Sequence, residues 1–220
     1  LRHGAYVGGS FLCRDVDGEA RNAFFLFDRE GSLVGRHDKD LPTMWENCFY
    51  TGGSDAGILD AQGANVGVAM CWELIRTQTA RRLRQQVDLV VGGSCWWSIP
   101  GWKPNSVFAA MERRNADNAT QAAANFAKLV GAPVVHAAHC GKIECPMPLL
   151  PVGYHGYAEG GAAVFDADGT ALAFRERTQG SCFAIADGEL GRRVPERELP
   201  DGYWICRRGV IPEVAWKYQR

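Results

Sequence analysis

The stretch Asn65-Val-Gly-Val-Ala-Met-Cys-Trp-Glu-Leu74 decides how the rest of the chain is read. Residues 65–71 form a run of mostly small and β-branched apolar residues, the length of a buried strand. Residues 73–86 then space Ile75, Ala80 and Leu83 along one face of a helix. Cys71 therefore stands where a strand passes into a helix. A thiol there faces the unpaired N–H groups of the helix start, whose dipole favours a thiolate and can receive a developing oxyanion. By composition alone, such a cysteine is a small buried core residue.

Working outward, the same alternation continues. A strand is expected over residues 87–92, a helix over 106–129 closed by Gly131, and a strand over 133–138. Before this block, strands at 5–12, 23–28 and 32–36 are expected, the last two joined as a hairpin through Arg29-Glu30-Gly31. A second hairpin, 161–165 and 170–175, turns at Asp166-Ala-Asp-Gly169. Mixed sheets covered by helices follow, an α/β fold. The tail beyond Asp187 is richer in arginine, proline and glutamate, but Trp204 and Trp216 argue against full disorder.

Composition limits the function. The 220 residues are 46% apolar and carry a net charge of −1, enough for one sizeable core and without an electrostatic footprint for nucleic acid or an anionic membrane. A small-molecule partner is expected. There is no apolar run of about 20 residues and no signal-peptide order at the start, so a cytoplasmic location is expected. The eight cysteines are scattered and read mostly as free thiols. Cys140 and Cys145 lack a second pair at zinc-ribbon spacing, so neither a metal nor a cofactor is expected.

A second segment changes the reading of Cys71. Gly35-Arg-His-Asp-Lys-Asp-Leu-Pro-Thr-Met-Trp-Glu46 places Lys39 32 positions upstream of it and Glu46 seven beyond the lysine. Alone, Lys39 and Glu46 are solvated surface charges. Together, Asp-Lys-Asp-Leu-Pro, Trp-Glu-Asn-Cys-Phe-Tyr-Thr-Gly-Gly and Gly-Val-Ala-Met-Cys-Trp-Glu resemble the lysine, second-glutamate and nucleophile motifs of the nitrilase superfamily, the carbon–nitrogen hydrolases. The likeness extends through Val90-Val-Gly-Gly-Ser and the segment from Ala124 to His139, over residues 1–188. Residues 189–220 are expected to be an extension packing on that domain or on a partner subunit.

The resemblance implies a four-layer α/β/β/α sandwich that associates through a helical face. It implies Cys71 as nucleophile, with Lys39 and the Trp72 N–H as oxyanion hole and Glu46 as supporting carboxylate. The family's first glutamate, the general base, belongs to a segment before the Val7-Gly-Gly-Ser strand. Neither Glu19 nor Glu30 has its context, so this base is expected upstream of Leu1 and the domain is expected to be N-terminally incomplete.

The residue types suit thiol-dependent hydrolysis of a non-peptide carbon–nitrogen bond, in a linear amide, a carbamoyl compound or a nitrile, through a covalent cysteine acyl-enzyme. A non-catalytic binding or scaffold protein on the same fold is the alternative. A Cys/His alternative would draw on His136 and His139, which a strand would point to opposite faces. His139, near the strand's end, is a substrate-contact candidate, and His136 reads as structural. Trp96 and Trp97, after the strand next to the nucleophile strand, and Phe49 and Tyr50 beside Glu46, are candidate pocket walls. Residues Val107, Phe108, Met111, Ala119, Ala123, Phe126 and Ala127 spread over more than one stripe of their helix. That spread suggests a homodimer or larger even oligomer.

Overall fold

The computed structural model of the chain describes residues 3–100, 105–146, 153–195, 197–206, 213, 214 and 217, with backbone alone at 44, 45 and 105–107. Three strands, β1 (Val7–Arg14), β2 (Ala20–Phe27) and β3 (Leu33–Asp38), form an antiparallel sheet in sequence order. Alternation gives β2 two unlike faces. Phe24 and Leu26 turn inward and are buried, while Phe25 and Phe27 lie with Phe11 on the outer side.

The second sheet contains β4 (Ile58–Ala61), β5 (Ala64–Val68), β6 (Leu89–Ser94), β7 (Val134–Ala138), β8 (Cys140–Pro146), β9 (Gly153–Phe165) and β10 (Ala171–Glu176). Its order is β10-β9-β7-β6-β5-β4, and β8 pairs with the first half of β9. The central pairs β5–β6 and β6–β7 are parallel, and their connections carry α1 (Thr77–Leu83) and α2 (Asn105–Val130). Parallel neighbours need such crossovers, which is why the strand-and-helix alternation was readable.

One core lies between the sheets, where Phe24 and Leu26 meet Leu59, Val66, Val68 and Met70. The larger core lies between the second sheet and the helices. There Ala80 and Leu83 of α1 and Ala119, Ala123, Phe126 and Ala127 of α2 pack with Val90, Val134 and Phe165. The chain has the mixed α/β sandwich anticipated. Of its four layers, the described residues supply two sheets and the helices on the second sheet. Among those residues no helix covers the outer face of β1–β3, where Val7 and Phe11 are exposed.

The structure revises several expectations. The helix expected over residues 73–86 is broken: a 3₁₀ turn at Cys71–Ile75 precedes α1, and Arg76 between them is extended. The break lets the Arg76 guanidinium reach Asp40 and the Leu41 carbonyl. Strands β4 and β8 were not anticipated: β4 has only four residues, and β8 pairs only with β9, off the main order of the sheet. On α2, Ala119, Ala123, Phe126 and Ala127 are covered within the chain itself, Phe108 and Met111 are partly exposed, and the Val107 side chain lies outside the described residues. Gly131 ends α2 in the left-handed conformation, φ +80°.

The described part of the C-terminal segment packs on its own domain. Arg193 N–H bonds the Gly131 carbonyl, Thr77 N–H bonds that of Tyr203, and Trp204 meets Trp72 edge-on at 5.6 Å. Trp216 lies outside the described residues. Among the described residues no helix is long and apolar enough to cross a membrane.

Candidate active site

Cys71 begins the 3₁₀ turn directly after β5 with φ 54°, a left-handed conformation that a non-glycine residue holds only when its surroundings enforce it. The enforcement comes from Glu73. Its carboxylate accepts the Met70 N–H at 2.7 Å, and its own N–H bonds the Met70 carbonyl at 3.1 Å. The sharp turn projects the thiol out of the strand line, and the Trp72 N–H lies against the sulfur.

Lys39 follows β3 on the other sheet and is 2% exposed. A sequence reader expects a lysine flanked by Asp38 and Asp40 to be solvated, but here the ammonium is folded inward. It donates to Thr43 Oγ1 at 2.9 Å and to the Glu46 carboxylate, which also accepts the Thr43 N–H. Tyr50 adds a further hydrogen bond to Glu46. An ammonium has three donors. Two are engaged among the described residues, which leaves the third available to an oxyanion.

Lys39, Glu46, Tyr50 and Cys95 are electrostatic neighbours of the Cys71 sulfur or of one another. Burial pushes the Cys71 thiol up. Lys39 and the Trp72 N–H draw it down, Glu46 and Cys95 raise it, and the balance stands at about 11. The turn start by itself was expected to favour a thiolate, but burial outweighs it. Ionising the thiol here costs about 3 kcal/mol more than at its ordinary pKa, so ionisation has to be coupled to proton transfer. Burial and the Glu46 carboxylate likewise lift the Tyr50 phenol far above its ordinary range, so it remains a donor.

Beneath this layer runs a buried row of charges. His37, fully buried on β3, places Nδ1 2.6 Å from Asp55 Oδ1 and Nε2 3.2 Å from Glu73 Oε1. Burial disfavours the imidazolium, but the Asp55 and Glu73 carboxylates outweigh it and raise His37 to about 9. Burial also opposes ionisation of Glu73, yet hydrogen bonds from His37 and Asp40 hold it well below the usual carboxylate range. Asp40 is raised to about 6 by burial and by Glu73, and it pairs with Arg76 at 2.5 Å and Arg82 at 3.3 Å.

A family description of carbon–nitrogen hydrolase matches residues 2–191. The chain belongs to the carbon–nitrogen hydrolase family. Among solved structures, the chain is similar to the carbon-nitrogen hydrolase from Helicobacter pylori G27, with TM-score 0.66 at 17% identity over 80% of this chain and 59% of that one. It also resembles an amidase from Nesterenkonia sp., with TM-score 0.54 at 16% identity over 98% of this chain and 67% of that one. A third is a mutant of the amidase from Nesterenkonia sp. AN1 showing covalent addition of the acetamide moiety of fluoroacetamide at the active site cysteine. It gives TM-score 0.54 at 16% identity, over 79% of this chain and 57% of that one. At these identities the likeness is one of fold. The chain spans less than two thirds of the length of the Helicobacter structure. No curated protein matches it in sequence.

The other candidate residues fall in different places. Trp96 is buried, lies tilted against Trp72 at 6.1 Å and gives its indole N–H to Asn115 Oδ1 at 3.0 Å, so it supports the Cys71 turn from within the core. Trp97 is 40% exposed and packs on Tyr154, and Phe49 is exposed. His139 donates toward the Ser94 carbonyl and lines a groove of about 420 Å³ with Cys140, Gly160, Arg175 and Cys182, which includes neither Cys71 nor Lys39. His136 is buried, its Nδ1 on the Gly161 carbonyl at 2.9 Å and its Nε2 on Ser94 Oγ at 3.0 Å. Burial holds it below its usual pKa, so it is a neutral structural group.

Thr43, His37, Asp55 and Glu73 were not anticipated as part of the site. Glu73, two residues after Cys71, had a local signal in the Cys-Trp-Glu run. His37 and Asp55 had none, since their pairing is made by the fold.

Proposed function

We propose that the chain carries the thiol half of a carbon–nitrogen hydrolase acting on a small linear amide, carbamoyl compound or nitrile. The observation that carries this reading is the convergence of Lys39, Glu46 and Tyr50 on the Cys71 turn from a different sheet. With an amide, the Cys71 sulfur attacks the carbonyl carbon while its proton passes to a carboxylate base. The carbonyl electron pair moves onto oxygen, which the Lys39 ammonium and the Trp72 N–H stabilise. Collapse expels the amine, which takes up the proton and leaves a thioester. Water then releases the acid and the free thiol.

Glu46 already accepts from Lys39, Thr43 and Tyr50, so its main role in this scheme is to orient the ammonium. The resemblance assigns the first base to a further glutamate, whose sequence context neither Glu19 nor Glu30 has. The high thiol pKa favours a second reading, a ligand-binding protein on the same fold that does not turn over. Release of ammonia from a panel of short amides and nitriles distinguishes them. Turnover that vanishes in Cys71→Ala and falls at least about 100-fold in Lys39→Met supports the hydrolase. Undiminished turnover in Cys71→Ala would refute it. Binding of the same compounds by calorimetry without turnover would favour the second reading.

A further inference from the structure

We infer that Glu73 is the positioning residue of this site: one buried carboxylate ties the turn that carries the nucleophile to the turn that carries the lysine. Its Oε2 accepts the N–H of Met70, the residue before Cys71, at 2.7 Å. Its Oε1 accepts the N–H of Asp40, the residue after Lys39, at 2.9 Å. The two turns hang from different sheets, and the core between those sheets is apolar. Apolar burial is non-directional and does not set the relative position of two loops to a fraction of an ångström. A carboxylate that accepts from both backbones does, because its acceptor directions are fixed and both bonds are charge-assisted.

Glu73 is 0% exposed, so the charge needs a partner. His37 supplies it from β3, the strand that leads into Lys39, and Asp55 holds the far side of the same ring. Asp40 is drawn into the row as well and is held there by Arg76 and Arg82. The groups facing Glu73 are thus His37, Asp40 and, one step removed, Asp55, Arg76 and Arg82. Those facing the thiol are Lys39, Glu46, Tyr50 and Cys95. No bond links Glu73 to the sulfur or to the lysine ammonium. It acts on them only through where it puts their backbones.

This inference rests on the assignment of Cys71 and Lys39 above, and its test reads thiol reactivity rather than turnover. Glu73→Gln offers one acceptor oxygen and one NH₂ group, so it cannot accept from both backbones and no longer balances His37. The rate at which iodoacetamide alkylates Cys71 in the folded chain, followed by peptide mass spectrometry between pH 7 and 10, is expected to fall about 10-fold in Glu73→Gln, with the profile displaced to higher pH. Glu73→Asp, which keeps the charge on a shorter arm, is expected to fall in between.

In a Lys39→Met background the Glu73→Gln change is expected to have less than about 2-fold further effect, because the cation it positions is gone. A Glu73→Gln variant that melts cooperatively with an unchanged Cys71 profile would overturn the inference. So would an equal loss with and without Lys39, the mark of a merely structural residue. Should Glu73→Gln not fold, Asp55→Asn at the accessible end of the row decides the matter. A fall of about 3-fold is expected, and an unchanged rate refutes the clamp. If Lys39→Met alone leaves Cys71 alkylation unchanged, the assignment of the lysine fails, not the clamp.

Discussion

Raising the pH from 6.5 to 8.5 is expected to weaken the folded chain through His37. An unfolded histidine releases its proton near 6.5, whereas His37 between Asp55 and Glu73 keeps it to about 9. Its contribution is therefore complete below the unfolded value and is lost as the pH rises toward the folded one. The span from 6.5 to about 9, at about 1.4 kcal/mol per pH unit, comes to about 3 kcal/mol, of which about 2 kcal/mol disappears by pH 8.5. Asp40, at about 6, titrates mostly below this window. Cys71, raised to about 11, adds a loss of the same sign only above about pH 9. With a urea dependence of about 2 kcal/mol/M for a chain of this size, the unfolding midpoint should drop by about 1 M across the window. His37→Gln should start lower and show no such drop. A wild-type midpoint that does not move, or an equal slope in His37→Gln, would refute the buried imidazolium. NMR of the ring nitrogens at pH 7.5 gives an independent reading: charged for His37 and neutral for His136.

Three further outcomes follow from particular contacts. A Cβ at Gly92 would lie 1.9 Å from the Ala69 carbonyl oxygen, so Gly92→Ala is expected to destabilise by more than about 3 kcal/mol or abolish soluble folding. Wild-type stability would contradict the close approach of β6 to the chain before the Cys71 turn. Because Cys71 sits at φ 54°, Cys71→Gly should be about 1 kcal/mol more stable than Cys71→Ala in urea titrations, and equal midpoints would mean that the turn is unstrained. For association, we propose a two-fold contact through the partly exposed stretch of α2 from Phe108 to Met111. Sedimentation equilibrium is expected to give a dimer or larger even mass at micromolar concentration, and a monomer mass would remove the proposal.

Local patterning carried much of what was legible in advance. The period-two runs, the Arg29-Glu30-Gly31 and Asp166-to-Gly169 turns and the alternation around Cys71 predict the hairpins and the mixed sheet covered by helices. Each of these follows from the chain's own neighbours. Cys71 stood out as a candidate for the same reason, as a reactive group at a strand's end, and Lys39 and Glu46 became candidates through the resemblance of three motifs to those of the nitrilase superfamily.

The sequence could not show that Lys39 is buried between two aspartates. Nor could it show that the expected helix breaks at Arg76 to reach Asp40, or that Trp96 belongs to the core while Trp97 stays at the surface. Pairing across the sheets settles these points. His37, Asp55 and Glu73 are separated by 18 and 36 positions and meet only when one sheet lies on the other. The chain determines which residues can carry charge and where its strands turn. The tertiary structure decides which charges lose their water, because burial depends on neighbours that the local sequence does not contain, and with that loss it decides the protonation states of Cys71 and His37.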